Sequence, residues 1–242
     1  MVQILLNGIS RIDQAVLNLQ YYEPKDGYYL AFSGGKDSIV IYHLAKKAGV
    51  RFDAHFSQTT LDPPEVQKFI KDYYPDVIWE KPKKSFFKMI VDHGMLPTRR
   101  IRYCCRELKE IGGKGRVVIT GIRRRESTNR RNRKLFDEST VTRGKFFLNP
   151  IVEWTENDVW DYIKENKIPY CNLYNRGRKR LGCLFCPMQN KKGRLKDIKE
   201  YPKYYRAINK AIQKMIDNNK RKGITFRNGE TVEDIWEWWL SD

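Results

Sequence analysis

Long apolar runs are scarce in this chain of 242 residues. No stretch approaches the roughly 20 consecutive apolar residues of a membrane-crossing helix, so no membrane partner is expected. The opening Met1-Val2-Gln3-Ile4-Leu5-Leu6 is too short for a secretion signal and has no basic flank, which points to a cytoplasmic protein. Internal repeats, low-complexity tracts and clear linkers are also missing, and the Walker A spacing, Gly-x4-Gly-Lys-Ser/Thr, occurs nowhere. Acidic residues are in short supply, 29 against 47 Lys and Arg, for a net charge of +18. Such an excess attracts polyanions and suits a nucleic-acid partner, though it equally serves solubility or a single phosphorylated nucleotide. Cysteine is sparse too, with five residues, and without an export signal disulfides are not expected among them.

What the chain does have is 40% hydrophobic residues, sufficient for a real core, and one segment that stands out. Ser33-Gly34-Gly35-Lys36-Asp37-Ser38 lies where the apolar run Tyr28-Tyr29-Leu30-Ala31-Phe32 gives way to a helical pattern from Ser38 to Lys47. Two glycines let the backbone turn tightly and bring its N–H groups close to an anion. The helix behind them begins with unpaired N–H groups and the positive end of its dipole. Lys36 adds a point charge, and the Ser33 and Ser38 hydroxyls add donors. An ordinary strand-to-helix turn is the plainer alternative, because Ser, Gly and Asp are common there.

Apolar residues at Ile9, Ile12, Val16 and Leu19 predict a helix ahead of this loop, and Ile41, Leu44, Ala45 and Ala48 predict the core stripe of the helix behind it. Phe52 to Phe56, Val77-Ile78-Trp79 and Arg116 to Thr120 read as further strands. Between them, helices are expected from Asp62-Pro63-Pro64 through Tyr74 and from Ser85 to His93. This alternation predicts an α/β fold, a mainly parallel sheet with helices on both faces, whose ligands lie beyond the carboxyl ends of the strands. Ser33 and Gly121 both fall at that edge. A capping pattern at Thr155 to Asp158, a Lys-rich helical stretch from Leu195 to Lys220 and a last helix after Thr231 predict a mostly helical C-terminal extension. The expected division is a nucleotide-binding domain over 1–150 and a helical region over 151–242.

The loop resembles the pyrophosphatase-type (PP-loop) segment of the adenine-nucleotide alpha-hydrolase superfamily. Further segments narrow the likeness: Thr120-Gly121-Ile122-Arg123 leading to Glu126-Ser127; Asn149-Pro150-Ile151 with Trp154 and Asp158-Val159-Trp160; Ile168-Pro169-Tyr170 with Leu173-Tyr174; and Gly182-Cys183-Leu184-Phe185-Cys186-Pro187. Over about residues 28 to 190 the chain resembles the phosphoadenosine phosphosulfate (PAPS) reductase family. The resemblance implies an adenine nucleotide, ATP or an adenylyl sulfate, bound by Ser33, Gly34, Gly35, Lys36, Asp37, Ser38, Gly121 and Arg123. Arg123 is expected to be the anion clamp, since a guanidinium forks onto phosphate or sulfate oxygens.

Cys104-Cys105 and Cys183-x-x-Cys186 supply four thiolates, the number that a cubane iron–sulfur cluster takes. Zinc is the alternative, although adjacent cysteines fit its usual ligand spacings poorly. Within the resembled family, reductases of adenylyl sulfate pair such halves to ligate a [4Fe-4S] cluster, which is the expectation here. Lys109, four residues after Cys105, fits a helix turn that would set its ammonium near the cluster or the substrate, with an ordinary solvated lysine as the alternative. Cys171 is the leftover thiol, read as a small core residue against a nucleophilic role.

A family reductase also needs a mobile cysteine near its C-terminus to attack the sulfate sulfur, and no cysteine follows Cys186 in this sequence. The resemblance then favours relatives that use ATP to activate an oxygen for sulfur introduction: the DNA phosphorothioation sulfurtransferases of the family and the tRNA thiolases of the superfamily. On that reading Mg²⁺ accompanies the phosphates, Asp37 orients the metal or a water, its plainer role being to cap the helix that begins at Ser38, and Asp37, Lys109 and Arg123 are the candidate catalytic residues. The expected partners are DNA or tRNA and a sulfur-donor protein. Sulfonucleotide reduction and a non-catalytic nucleotide- or nucleic-acid-binding subunit remain the alternatives.

Overall fold

A computed structural model describes residues 8–225 and 229–241; the Met1 to Leu6 segment read above lies outside them. The chain forms two compact units, Met1–Ser57, Pro64–Glu80 and Gly112–Leu181 in the first, and Gln58–Pro63, Lys81–Ile111 and Gly182–Asp242 in the second. The division differs from the expected break at residue 150. The chain leaves the first unit after its second and third strands and after Leu181, so segments distant in sequence share a core.

In the first unit, α1 (Arg11–Tyr21) starts at Ser10, whose hydroxyl accepts the Asp13 N–H. It precedes β1 (Tyr28–Ala31), α2 (Lys36–Ala48), β2 (Phe52–Ser57), α3 (Pro64–Tyr73) and β3 (Ile78–Glu80). α2 ends where Gly49 turns left-handed at φ 68°, a conformation that costs glycine little. Numbering onward in chain order, β4 is Val117–Ile119, β5 Phe136–Glu138, β6 Phe146–Leu148 and α6 Glu156–Glu165. The six strands make one sheet in the order β3-β2-β1-β4-β6-β5. All pairs are parallel except the edge pair β5–β6. Leu30, Ile39, Ile41, Leu44, Ile119 and Ile163 are among the residues fully withdrawn into its core.

The second unit is helical: α4 (Phe86–His93), α5 (Tyr103–Leu108), α7 (Lys191–Glu200), α8 (Pro202–Arg221) and α9 (Val232–Ser241). The single tail helix expected over 195–220 is two helices. Tyr201 breaks them at ψ 61°, and Pro202 takes the first position of the second, where its missing N–H costs nothing. Ile208, Ile212 and Met215 pack with Met89, Ile90, Trp236 and Trp239 in the core of this unit. No helix among the described residues is long and apolar enough to cross a membrane.

Candidate functional site

The Ser33–Ser38 loop closes on itself. Ser38, in the first turn of α2, accepts the Ser33 N–H at 3.1 Å and donates to the Gly35 carbonyl at 2.8 Å. The Ser33 hydroxyl takes the Gly35 N–H at 3.3 Å. Gly34 sits at φ +69°, where a side chain would be strained. Gly35 is the helix N-cap and offers no side-chain bond. The first-turn N–H groups of Asp37 and Ser38 therefore have no partner among the described residues. The Lys36 N–H is different: it donates to the Tyr174 hydroxyl at 2.9 Å. Trp160 of α6 meets the Tyr174 ring edge-on with centroids 5.0 Å apart, so the Tyr170 to Tyr174 segment is fixed against the loop.

A cavity of about 170 Å³ opens at this loop, lined by Ser33, Gly35, Lys36, Asp37 and Ser38 on one side. Gly121, Glu126, Arg130, Tyr174 and Arg180 line the other. Gly121 is there because nothing larger fits: a Cβ would stand 2.9 Å from the backbone carbon of Asp37. Glu126 ion-pairs with both Arg130 and Arg180, the latter at 3.0 Å. One carboxylate thus holds two guanidinium groups on the cavity wall.

Arg123 is not on that wall. It is buried at 2% exposure, and its Nε donates to Asp37 Oδ1 at 2.6 Å. Lys36, equally buried, approaches the other Asp37 oxygen at 3.4 Å and Glu156 at 3.9 Å. Arg123 therefore reaches the loop through the Asp37 carboxylate, while Arg130 and Arg180 take the open position expected of it. The sequence gives Arg130 and Arg180 no assigned role, and it shows Glu126 and Tyr174 only as motif residues with no part in the cavity. These come from segments up to about 50 residues apart, with no spacing to link them.

The cysteines lie in the second unit. Cys104 and Cys105 are on α5, and Cys183 and Cys186 are on the turn before α7. The four are close enough to feel one another's charge: Cys104 is raised by its hydrogen bond with Cys105, by burial and by all three other thiols. The same hydrogen bond, with the Lys109 and Arg102 charges behind it, lowers Cys105 to about 6 against the effect of burial. Lys109 presents much of its surface to solvent, yet its ammonium reaches Cys183, and that sulfur's charge raises it. Among the described residues, no three His, Cys, Asp or Glu side chains converge tightly enough to enclose a single metal ion as they stand.

The Cys183–Cys186 turn is braced from α7. The Asp197 carboxylate, fully buried, accepts the Phe185 N–H at 2.8 Å and the Gln189 side-chain amide at 3.0 Å. Gln189 also donates to the Cys183 carbonyl at 3.2 Å. Leu184 N–H donates to the Leu61 carbonyl at 2.8 Å, and Phe185 adopts φ +52°, a strained conformation for a bulky residue that its surroundings must impose. Cys171 belongs to the first unit's core at 1% exposure, and burial raises its thiol.

This arrangement, a glycine loop at a helix N-terminus beyond the carboxyl end of a parallel strand, defines a nucleotide-binding α/β protein. The chain belongs to the phosphoadenosine phosphosulfate reductase domain family, whose family model matches residues 27–189. Adenosine 5'-phosphosulfate reductase of Oceanobacillus iheyensis is 28% identical over 76% of this chain and 79% of its own length. Two uncharacterised proteins of Methanocaldococcus jannaschii are 28% and 31% identical over 90% and 95% of the chain. The chain spans only 47% and 57% of their lengths. The phosphoadenylyl-sulfate reductase of Candida auris shares the fold, with a TM-score of 0.54 and 22% identity over 76% of this chain and 98% of that one. The FMN adenylyltransferase of Candida glabrata shares it at a TM-score of 0.52 and 15% identity, over 72% of this chain and 63% of that one.

Proposed function

We propose that this chain is an enzyme that uses ATP to activate an oxygen of a nucleic-acid acceptor, DNA or tRNA, for sulfur transfer. The loop N–H groups and Lys36 hold the beta- and gamma-phosphates. Arg130 and Arg180 meet the charge that builds up as the acceptor oxygen attacks the alpha-phosphorus and the bond to pyrophosphate breaks. Asp37 keeps Lys36 and Arg123 in register and lines the cavity. Mg²⁺ arriving with the nucleotide supplies charge neutralisation. Sulfur comes from a donor protein.

Cys104, Cys105, Cys183 and Cys186 would hold a [4Fe-4S] cluster, which supplies electron transfer or sulfur handling when bound. Their chemistry fits the group: a cubane takes one thiolate per iron, whereas tetrahedral zinc needs four sulfurs meeting at one point. Lys109 would balance the thiolate charge at Cys183.

One observation carries the choice of reaction. Reduction of an adenylyl sulfate needs a free cysteine nucleophile, and the one cysteine outside the quartet, Cys171, is sealed in the core with its thiol raised. The second reading, sulfonucleotide reduction, is favoured by the adenylyl-sulfate reductase relatives. The test supplies anaerobic protein with ATP, Mg²⁺, a sulfur donor and duplex DNA or tRNA, and in parallel with adenylyl sulfate and a thiol reductant. Acceptor-dependent pyrophosphate release is expected. Sulfite release in the parallel assay, lost in Cys171→Ser, overturns the proposal in favour of the reductase. Nucleotide binding without turnover in either assay leaves a non-catalytic subunit.

A further inference from the structure

α8 carries its charge and its apolar residues on opposite faces. At 100° per residue, Ile208, Ala211, Ile212, Met215, Ile216 and Asn219 form one side, all buried. Lys203, Arg206, Lys210 and Lys214 follow one another at intervals of three or four residues on the other side, and all four are exposed. The stripe is about 16 Å long at 1.5 Å per residue. None of the four has a hydrogen-bond or ion-pair partner among the described residues. That contrasts with the basic side chains around the nucleotide cavity, where Glu126 and Asp37 take up the charge. Asp217 is the first acid on this face, one turn beyond Lys214. α7, packed alongside, adds exposed Lys191, Lys192 and Lys199. All of this lies past residue 189, where the match to the family model ends, so the family's shared machinery does not account for it.

Four uncompensated cations in a straight line repel one another, and a fold tolerates that most readily where an anion neutralises them. We propose that this face of α8 docks the phosphodiester backbone of a nucleic-acid duplex. A duplex carries one charge per about 1.7 Å of its axis, both strands counted, so a 16 Å stripe with flexible side chains meets phosphates on the two strands that edge a groove, enough to give each side chain its own. Three of the four cations are lysines, whose flexible point charge reads phosphate rather than base. The docking is therefore independent of sequence. The proposal rests on the nucleic-acid reading above and assigns that acceptor a surface.

The test measures binding of a fluorescent random-sequence DNA duplex between 50 and 200 mM salt. At about 0.9 per neutralised phosphate, four contacts contribute roughly 3.6 to the log–log salt slope, an affinity loss of ~150-fold over that range. The K203Q/R206Q/K210Q/K214Q protein is expected to lose that part of the slope and, since it gains no affinity at 200 mM, to bind at least ~150-fold more weakly at the low-salt end, with an unchanged thermal midpoint. Lysine-to-arginine replacement at 203, 210 and 214 keeps binding. Lys25, Lys47, Lys83 and Lys114, all exposed, changed together to Gln remove the same formal charge elsewhere and should cost little. Equal loss in that control, an unchanged slope in the stripe variant, or tighter binding to phosphatidylserine vesicles than to the duplex overturns the proposal. Stripe-dependent duplex binding without acceptor-dependent pyrophosphate release sinks the proposed function and leaves the surface. Acceptor-dependent release with unaltered binding in the stripe variant does the reverse.

Discussion

The phosphate loop and the cysteine turn both feed a helix, α2 in one unit and α7 in the other, but they are held in different ways. Ser33 to Ser38 is closed by bonds among its own residues, with Tyr174 and Arg123 added from outside, and its glycines supply the geometry that those bonds need. The turn from Cys183 to Cys186 has a phenylalanine at φ +52° and takes its bonds from Leu61, Gln189 and Asp197. A loop closed largely on itself tolerates change elsewhere in the chain except where a neighbour touches it directly, as Gly121 does. A turn imposed by distant partners fails when any of them fails, and it responds to changes that never touch a cysteine.

The strongest test of that contrast removes one thiol. Cys183→Ser is expected to abolish iron binding altogether, from about four irons per chain, while ATP affinity stays at the parent value by calorimetry. Parallel loss of ATP affinity would show that the two sites are not independent. Next in size is Gly121→Val. The added side chain drives into the Asp37 backbone, and an overpacking cost of about 3 kcal/mol falls on the loop, roughly 100-fold in ATP affinity with iron content unchanged.

Asp197→Ala probes the brace. It leaves the Phe185 N–H buried and unpaired, at a cost of about 1–3 kcal/mol, read as a lower denaturation midpoint and poorer iron uptake on anaerobic reconstitution. Asp197→Asn keeps an acceptor and should recover most of both. Equal iron uptake in the Ala variant would mean that the turn holds itself. The smallest effect is expected at Asp53, away from both loops. Hydrogen bonds from Arg116 hold its carboxyl below the usual 3.8, so its contribution is fully present above that value and lost as pH falls further. Asp53→Asn should lower stability modestly at neutral pH, flatten the acid limb below pH 3.8 and converge on the parent at low pH.

The same contrast explains what could be read in the sequence. β1, α2, β2, α4 and the Thr155 cap of α6 follow local rules of periodicity and capping, and they stand where those rules put them. β5 and β6, three residues each, are too short to show a period and exist because they pair with each other and with β4. Arg180 and Glu126 are joined only in three dimensions. Arg123 carried the right chemistry, but its burial beside Asp37 depends on packing that no spacing reports. Pro202 was a visible signal that the tail breaks into two helices. Its fixed φ suits a first turn and not a helix interior.

The interleaving of the two units has a consequence in time. Cys104 and Cys105 leave the ribosome roughly 80 residues ahead of Cys183, about 4–16 s at 5–20 residues per second. Asp197 and the rest of the brace come later still. During that interval the nucleotide unit's first three strands already exist, whereas the early cysteine pair waits as two neighbouring thiols. Maturation of the second unit is thereby a race between the arrival of its last 60 or so residues and the oxidation of its first two sulfurs.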